Sequence, residues 1–255
     1  MADLTGKIAI VTGCASGIGA ATVRRLRDDG AQVLGTDLNS DWGTNLCEET
    51  GAVFAHQDVA DFAGWPDIVA QAVERWGRLD ILVNNAGTVA TQSIEDITDE
   101  AWDRIFDVNI KGTMAGCRAA IAAMKANPGG SKGSIINISS TSALGALPSD
   151  VAYCSSKGAV RVLTKSVATH CAKEGYNIRC NTVMPGGTDT NILAEAENVA
   201  PGLKEAVAAT APMNRLADPS ETAAAIAFLA SDDCPYMTGA EMLVDGGMMS
   251  IHPGF

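Results

Sequence analysis

An α/β fold built on a doubly wound parallel sheet, with helices on both faces, is what this sequence predicts. Short β-branched runs alternate with longer stretches of helical period, the pattern of repeated strand-helix-strand units. The short runs are apolar almost throughout, as strands covered on both faces are. A glycine cluster follows the first run and leads straight into the first helical stretch.

The strands are expected at Ile8 to Val11, Gln32 to Thr36, Ala52 to His56, Ile81 to Val83, Ser134 to Ile138, Ile178 to Val183 and Met242 to Val244. Helices are expected between them at Gly17 to Asp29, Pro66 to Trp76, Asp99 to Met124, Val151 to Lys173 and Pro219 to Ala230. The last has a clear start, because Asp218 can cap it and Pro219 suits the first helical position. Two stretches fall outside the alternation. Asn127-Pro128-Gly129-Gly130-Ser131 reads as a surface turn. Residues 186–215 mix Gly, Pro and Ala with Ile192, Leu193, Leu203 and Met213, and read either as a substrate lid or as a plain excursion. With no repeat and no linker, residues 1–255 are expected to form one domain.

Composition excludes several functions. The 255 residues carry 18 Lys and Arg against 30 Asp and Glu, a formal charge of −12, and 47% of them are apolar. Such a chain can pack a core, and its negative field disfavours nucleic acid and anionic membranes as partners. The longest apolar run, Ala223 to Ala230, is far too short to span a bilayer, and the N-terminus lacks a basic segment followed by an apolar one. The seven cysteines include no Cys-x-x-Cys pair and read as reduced thiols of a cytoplasmic protein. His56, His170 and His252 have no ligand spacing, so no metal is expected.

The first strand runs into Thr12-Gly13-Cys14-Ala15-Ser16-Gly17-Ile18-Gly19. Glycine suits a backbone that must turn sharply and approach a phosphate, and the helix that follows offers free N–H groups to a pyrophosphate. Asp37 stands 18 residues after Gly19, at the end of the second strand, where a carboxylate can accept from both ribose hydroxyls. A 2′-phosphate there would face a like charge at a cost of roughly 3 kcal/mol at ~5 Å and an effective dielectric of ~20. No Arg or Lys among residues 14–16 or 38–40 offsets it, so NAD is expected over NADP. Asp58-Val59 reads either as the adenine edge or as a strand-end cap.

Tyr153 and Lys157 stand four apart at the start of a helix and share a face. Lowering a tyrosine pKa from about 10 into a useful range takes about 3 to 4 kcal/mol. A lysine ~5 Å away supplies roughly 3 of these. Thirteen residues before Tyr153, Ser139-Ser140 ends a strand at the sheet edge where such folds place their sites.

Taken together, Thr12-Gly13-x-x-x-Gly17-x-Gly19, Asn84-Asn85-Ala86-Gly87, Asn109, Ser140, Tyr153-x-x-x-Lys157 and Pro185-Gly186 resemble the short-chain dehydrogenase/reductase family along essentially the whole chain. The resemblance implies a Rossmann-type sheet of seven strands in the order 3-2-1-4-5-6-7, a nicotinamide cofactor and a homotetramer. It implies that Tyr153 is the general acid/base and that Lys157 lowers its pKa and binds the nicotinamide ribose. Ser140 would hold the reacting oxygen, with Ser139 one residue out of register, and Asn109 would bend its helix and hold a water that relays protons. For the cofactor it implies roles for Gly13, Ser16, Gly17, Ile18, Gly19, Asp37, Asp58, Val59, Asn85, Ala86, Gly87, Pro185, Gly186, Thr188 and Thr190. Position 188 is usually a branched apolar residue in the family; here it is Thr188. The tail from Met248 to Phe255 reads equally as an interface element or a frayed end.

The expected reaction is reversible hydride transfer between NAD and a secondary alcohol or its ketone. The segment Thr141 to Pro148 is small and largely apolar and holds no Arg for a carboxylate or phosphate, which points to an uncharged, cyclic or hydroxysteroid-like alcohol. Local likeness to bacterial hydroxysteroid and cyclic-alcohol dehydrogenases points the same way. A sugar or polyol dehydrogenase is the alternative, and a non-catalytic NAD-sensing protein is disfavoured because Ser140, Tyr153 and Lys157 are all present.

Overall fold

The computed structural model describes residues 2–199 and 201–252. Seven parallel strands form one sheet: β1 (Ile8–Thr12), β2 (Gln32–Asp37), β3 (Val53–His56), β4 (Ile81–Asn84), β5 (Lys132–Ile138), β6 (Asn177–Pro185) and β7 (Glu241–Val244). Their order is β3-β2-β1-β4-β5-β6-β7, the order implied by the resemblance. Register runs from Ile10 opposite Leu34 and Leu82 to Asn137 opposite Asn84 and Thr182. The order reverses between β1 and β4, and at such a switch point the loops leaving the strand ends diverge and open a crevice.

Both faces are covered. On one, Val23 and Leu26 of α1 (Gly17–Asp28), Leu46 of α2 (Ser40–Thr50) and Ile226 and Leu229 of α9 (Pro219–Ala230) pack on Val11, Val33 and Val83. On the other, α3 (Trp65–Trp76), α5 (Thr113–Lys125) and α6 (Val151–Lys173) bring Trp65, Ile68, Cys117, Met124 and Ala168 onto Ile10, Leu82 and Ile135. The α9 start carries the full capping box, Asp218 accepting from Ser220 N while Glu221 accepts from Asp218 N at 2.8 Å.

Three features differ from the sequence expectation. Helix α2 was not expected, because Ser40-Asp41-Trp42-Gly43-Thr44-Asn45 holds weak helix formers. Asn39 capping Trp42 N at 3.1 Å and Gly51 ending the helix at φ 71° supply its boundaries. The long helix expected over Asp99 to Met124 is interrupted: α4 (Asp99–Phe106) passes through a π-helical turn, Asp107–Gly112, before α5 begins. There the Asn109 side chain bonds elsewhere, Thr113 Oγ1 donates to Asn109 O at 2.8 Å, and the small Gly112 lets the Val59 carbonyl approach. Finally, residues 186–215 contain α7 (Asn191–Val199) and α8 (Leu203–Ala209), joined where Glu197 accepts from the amides of Gly202 and Lys204 at 2.8 and 2.7 Å.

Among the described residues no helix is long and apolar enough to cross a membrane. All seven cysteines are free and buried. The part of the tail beyond His252 lies outside the described residues.

Candidate active site

The glycine loop is stitched to the neighbouring strand. Thr12 Oγ1 accepts from the amides of Asn85 and Ala86 at 3.1 and 3.0 Å, and Asn85 Nδ2 donates to the carbonyls of Thr12 and Gly13 at 2.9 and 3.0 Å. Gly13 and Gly17 adopt φ 66° and 53°, where side chains are strained. A Cβ on Gly13 would lie 2.9 Å from Ala86 Cα, and one on Gly19 would overlap the Gly13 carbonyl oxygen. Ser16 is the N-cap of α1 but its side chain makes no capping bond, so the first-turn amides at Gly17, Ile18 and Gly19 face the loop without it.

Asp37 ends β2 with both oxygens engaged on one side: Oδ2 accepts from Ala15 N and Oδ1 from Asn39 N, each at 2.9 Å. The carboxylate is thereby oriented while lone pairs remain for further donors. Beyond β3, Asp58 accepts from Ala60 N at 2.9 Å and faces Arg104 at 3.6 Å. Val59 is buried; its carbonyl accepts from the Trp65 indole at 3.1 Å and its side chain lies beside Gly112. Its side chain therefore belongs to the core, and only its backbone remains for a ligand.

At the other end of the crevice, Tyr153 and Lys157 project from the first turns of α6, and Ser140 follows β5. The Ser140 hydroxyl faces the Tyr153 phenol closely enough to favour its ionised form. It also contacts Ser142 Oγ at 3.2 Å and accepts from Ser142 N. Ser139 points away, donating to the Lys157 carbonyl at 2.8 Å. Burial pushes the Tyr153 pKa above its ordinary 10, while the Ser140 hydroxyl opposes that rise. Lys157 is 4% exposed, its Nζ donates to Ile138 O at 2.9 Å, and it sits 5.5 Å from the centre of the Tyr153 ring.

Asn109, turned inward by the π-helical turn, ties this end together. Its Oδ1 accepts from Thr88 N, and its Nδ2 donates to Thr88 O and to Ser156 Oγ, all within 2.9 to 3.0 Å. A Cβ on Gly87 would lie 3.4 Å from both Asn109 Oδ1 and Lys157 Nζ, so this glycine leaves the space between them open. Pro185-Gly186 ends β6, Thr188 donates to Gly186 O at 3.2 Å and bridges to Ala217, and Thr190 reaches back over Gly17.

The chain matches the family model described as enoyl-(acyl carrier protein) reductase over residues 13–249. It is 40% identical to trans-4-hydroxycyclohexanecarboxylate dehydrogenase of Sinomonas cyclohexanicum over 252 residues, covering 94% of this chain and 92% of that one. It is 39% identical to the 3-alpha-(or 20-beta)-hydroxysteroid dehydrogenase of Mycobacterium tuberculosis over 249 residues, covering 97% and 91%. It is 37% identical to the NADP-dependent (R)-specific alcohol dehydrogenase of Lentilactobacillus kefiri over 248 residues, covering 96% and 97%. The chain belongs to the short-chain dehydrogenase/reductase family.

As a short-chain dehydrogenase/reductase it is an oxidoreductase that uses a nicotinamide cofactor, and its crevice suits one: Gly13, Gly17 and Gly19 let the loop pack closely on Asn85, Ala86 and Thr190, beside a helix start with no side-chain cap and an oriented Asp37. A cavity of about 440 Å³ between α3 and α5, lined by Trp65, Val69, Ala119 and Ala123, shares no residue with this crevice. Sequence reasoning missed Ser156, which links Asn109 to α6 and donates to Tyr153 O at 2.8 Å, and Asp150, which is buried one turn before Tyr153. Neither position carries a motif; only tertiary burial singles them out.

Burial holds the Lys157 pKa at about 8, below its ordinary 10.5. A lysine with a depressed folded-state pKa lowers stability fully below pH 8, and the penalty fades as pH rises from about 8 to 10.5. Lys157→Met is therefore expected to abolish turnover yet raise stability at neutral pH by about 1 to 3 kcal/mol, the bond to Ile138 O offsetting part of the gain. Thermal melts at pH 7 check this; a lower melting temperature contradicts it.

Proposed function

We propose that the protein is an NAD-dependent dehydrogenase that oxidises an uncharged secondary alcohol, cyclic or hydroxysteroid-like, and reduces the matching ketone. The observation that carries this reading is the Ser140–Tyr153 hydroxyl pair with Lys157 buried behind it. Leu144 and Leu147 are exposed on the segment that follows Ser140, and Ile192 and Met213 are exposed on the segment 186–215. The C-terminal turn closes on the segment after Ser140, since Met249 packs within 3.6 Å of the space over Gly145. Apolar walls of this kind suit a hydrocarbon ring, and the relatives named for a hydroxycyclohexanecarboxylate and a hydroxysteroid support a cyclic substrate; that it is uncharged is read from the walls alone.

In this reading a substrate hydroxyl sits between Ser140 and Tyr153. Ser140 donates to the reacting oxygen and stabilises the charge that develops on it. Tyr153, as phenolate, takes the hydroxyl proton, and in ketone reduction returns it. Lys157 favours the phenolate and, with Asn85-Ala86-Gly87, Pro185-Gly186, Thr188 and Thr190, holds the nicotinamide end. Asn109 and Ser156 keep the α6 turn and Thr88 in one arrangement. The nicotinamide ring, when bound, accepts or gives the hydride. Gly13, Ser16, Gly17, Ile18 and Gly19 hold the pyrophosphate, and Asp58 and the Val59 backbone the adenine edge. Helices α7 and α8 form the lid. Assembly as a homotetramer in the cytoplasm is part of the same reading; the exposed Val162 on α6 and Leu243 on the edge strand β7 suit subunit contacts.

NAD preference rests on Asp37, whose carboxylate is aimed by Ala15 and Asn39 and has no cation among its neighbours in sequence. Reduction of NAD and of NADP, followed at the nicotinamide absorbance across cycloalkanols, hydroxysteroids and polyols, tests the whole reading. Wild type should favour NAD, and Asp37→Ser should lower kcat/KM for NAD about 10- to 100-fold while NADP gains. Preference of the wild type for NADP, or for polyols over cyclic alcohols, overturns the corresponding part.

A further inference from the structure

Gly35 occupies a buried position in β2, between Leu34 and Thr36. A glycine inside a strand marks a place where other atoms come close to the backbone. Here those atoms belong to two thiols: a Cβ on Gly35 would lie 2.9 Å from Cys14 Sγ and 3.2 Å from Cys47 Sγ. The two sulfurs therefore flank one point on the strand, Cys14 reaching it from the glycine loop and Cys47 from α2. Cys117 and Cys180 are held differently, each bonded to the Asn137 amide, at 3.7 and 3.6 Å.

We propose that Cys14 and Cys47 form an oxidation site that closes to a disulfide with hydrogen peroxide, and that the closed form binds the nicotinamide nucleotide more weakly. Only the nucleotide common to the family is needed for this, not the substrate class proposed above. In the first step the Cys47 thiolate attacks one peroxide oxygen, the O–O bond breaks, and the hydroxide released takes up the Cys47 proton as water, leaving a sulfenic acid. In the second the Cys14 sulfur attacks the Cys47 sulfur, the S–S bond forms as the S–O bond breaks, and the Cys14 proton leaves with the hydroxide as a second water. Two thiols and one peroxide thus give one disulfide and two waters, the sulfurs losing the two electrons that the peroxide gains.

The roles of the two sulfurs follow from their surroundings. The neighbouring Cys14 thiol holds the Cys47 pKa below its ordinary 9.0, which favours Cys47 as the attacking thiolate. The Cys47 sulfur, burial and the Asp37 charge all push the Cys14 thiol up, so it keeps its proton until the second step. Both thiols are buried, and a molecule as small as peroxide reaches them when α2 opens locally from the sheet.

The link to the nucleotide is the loop itself. Cys14 N donates to Thr36 O at 3.1 Å, and the next amide, Ala15 N, donates to Asp37 Oδ2 at 2.9 Å. Bonded sulfurs lie much closer than thiols in contact. Closing the pair draws Cys14 toward α2 and carries Gly13 and Ala15 with it, so the fit of the loop to a pyrophosphate and the aim of Asp37 are disturbed together.

The test takes the full-length protein, fully reduced, and treats it with hydrogen peroxide in the absence of nucleotide. Digestion without reductant followed by mass spectrometry locates the bond, and calorimetry measures the affinity for whichever of NAD and NADP the reduced protein binds. The expected result is a peptide pair joined through Cys14 and Cys47, a rise in Kd of about tenfold or more, and reversal of both by dithiothreitol. Cys47→Ala and Cys47→Ser, a pair that guards against a packing defect in either one, should bind nucleotide like the reduced wild type and keep that affinity after peroxide. Oxidation that stops at sulfenic or sulfinic acid, that joins other cysteines, or that leaves Cys14 and Cys47 as thiols overturns the site. A joined protein that binds nucleotide like the reduced one, or a reduced protein that binds neither nucleotide, overturns the effect on binding. Failure to oxidise any secondary alcohol leaves these readouts untouched, so the dehydrogenase reading and the oxidation site fail separately.

Discussion

Tyr153→Phe is expected to lower kcat for alcohol oxidation by about a thousandfold or more while leaving nucleotide binding and the fold in place. The substitution removes one oxygen, and with it the group proposed to accept the substrate proton, a role worth 10²- to 10⁴-fold in comparable steps. The ring keeps its packing, so the melting temperature should stay within a few degrees. The pH profile carries further information. Burial holds the phenol above its ordinary pKa in the free protein, so the resting tyrosine is protonated and ready to act as an acid. Oxidation needs the phenolate and should rise with pH; ketone reduction needs the phenol and should fall. Both limbs should vanish in the variant. Retention of more than about a tenth of the wild-type kcat would show that another group moves the proton.

Gly19→Ala is expected to be the most damaging small change in the nucleotide-binding half. Alanine is ordinarily a better helix former than glycine, by about 1 kcal/mol. Here, however, the added Cβ would overlap the Gly13 carbonyl oxygen and stand 2.6 Å from Asn85 Nδ2, so α1 must retreat from the loop it follows. Overpacking of this kind costs about 1 to 3 kcal/mol, which in a chain of this size lowers the melting point by roughly 3 to 10 °C. The retreat also breaks the fit between loop and helix start, and NAD affinity should fall at least about 100-fold. Calorimetry with and without NAD separates the two effects. A variant that melts and binds like wild type would mean that the loop can relax around the new methyl group.

The strands were legible because burial on both faces makes them continuous β-branched runs, and all seven appear within three residues of their expected ends. Helix α2 was not, since its interior is polar and Gly43 sits where the Phe54 ring leaves no room for a side chain. Only its caps, Asn39 and Gly51, carried a signal. Helices α7 and α8 are too short and too rich in alanine for a periodic pattern to stand out. In the site, Tyr153 and Lys157 share one helix and the glycines one loop, so their spacing carried a signal, whereas Ser140, on a separate element, was named through the family resemblance. Ser156 acquires its significance from Asn109, on an element distant in sequence, and no window of the chain contains both partners.

The π-helical turn has a consequence for chain length. Each residue advances a helix by about 100°, so the wider turn at Asp107–Gly112 acts as a phase shifter between two amphipathic surfaces. Upstream it sets which side of α4 faces inward; downstream it sets Cys117, Ala120 and Met124 against the sheet. Loss of a single residue here would rotate the whole of α5 out of step and withdraw Asn109 from Thr88 and Ser156 in the same movement. A surface loop tolerates such a deletion, whereas this segment couples the count of residues in one helix to both the core and the catalytic end.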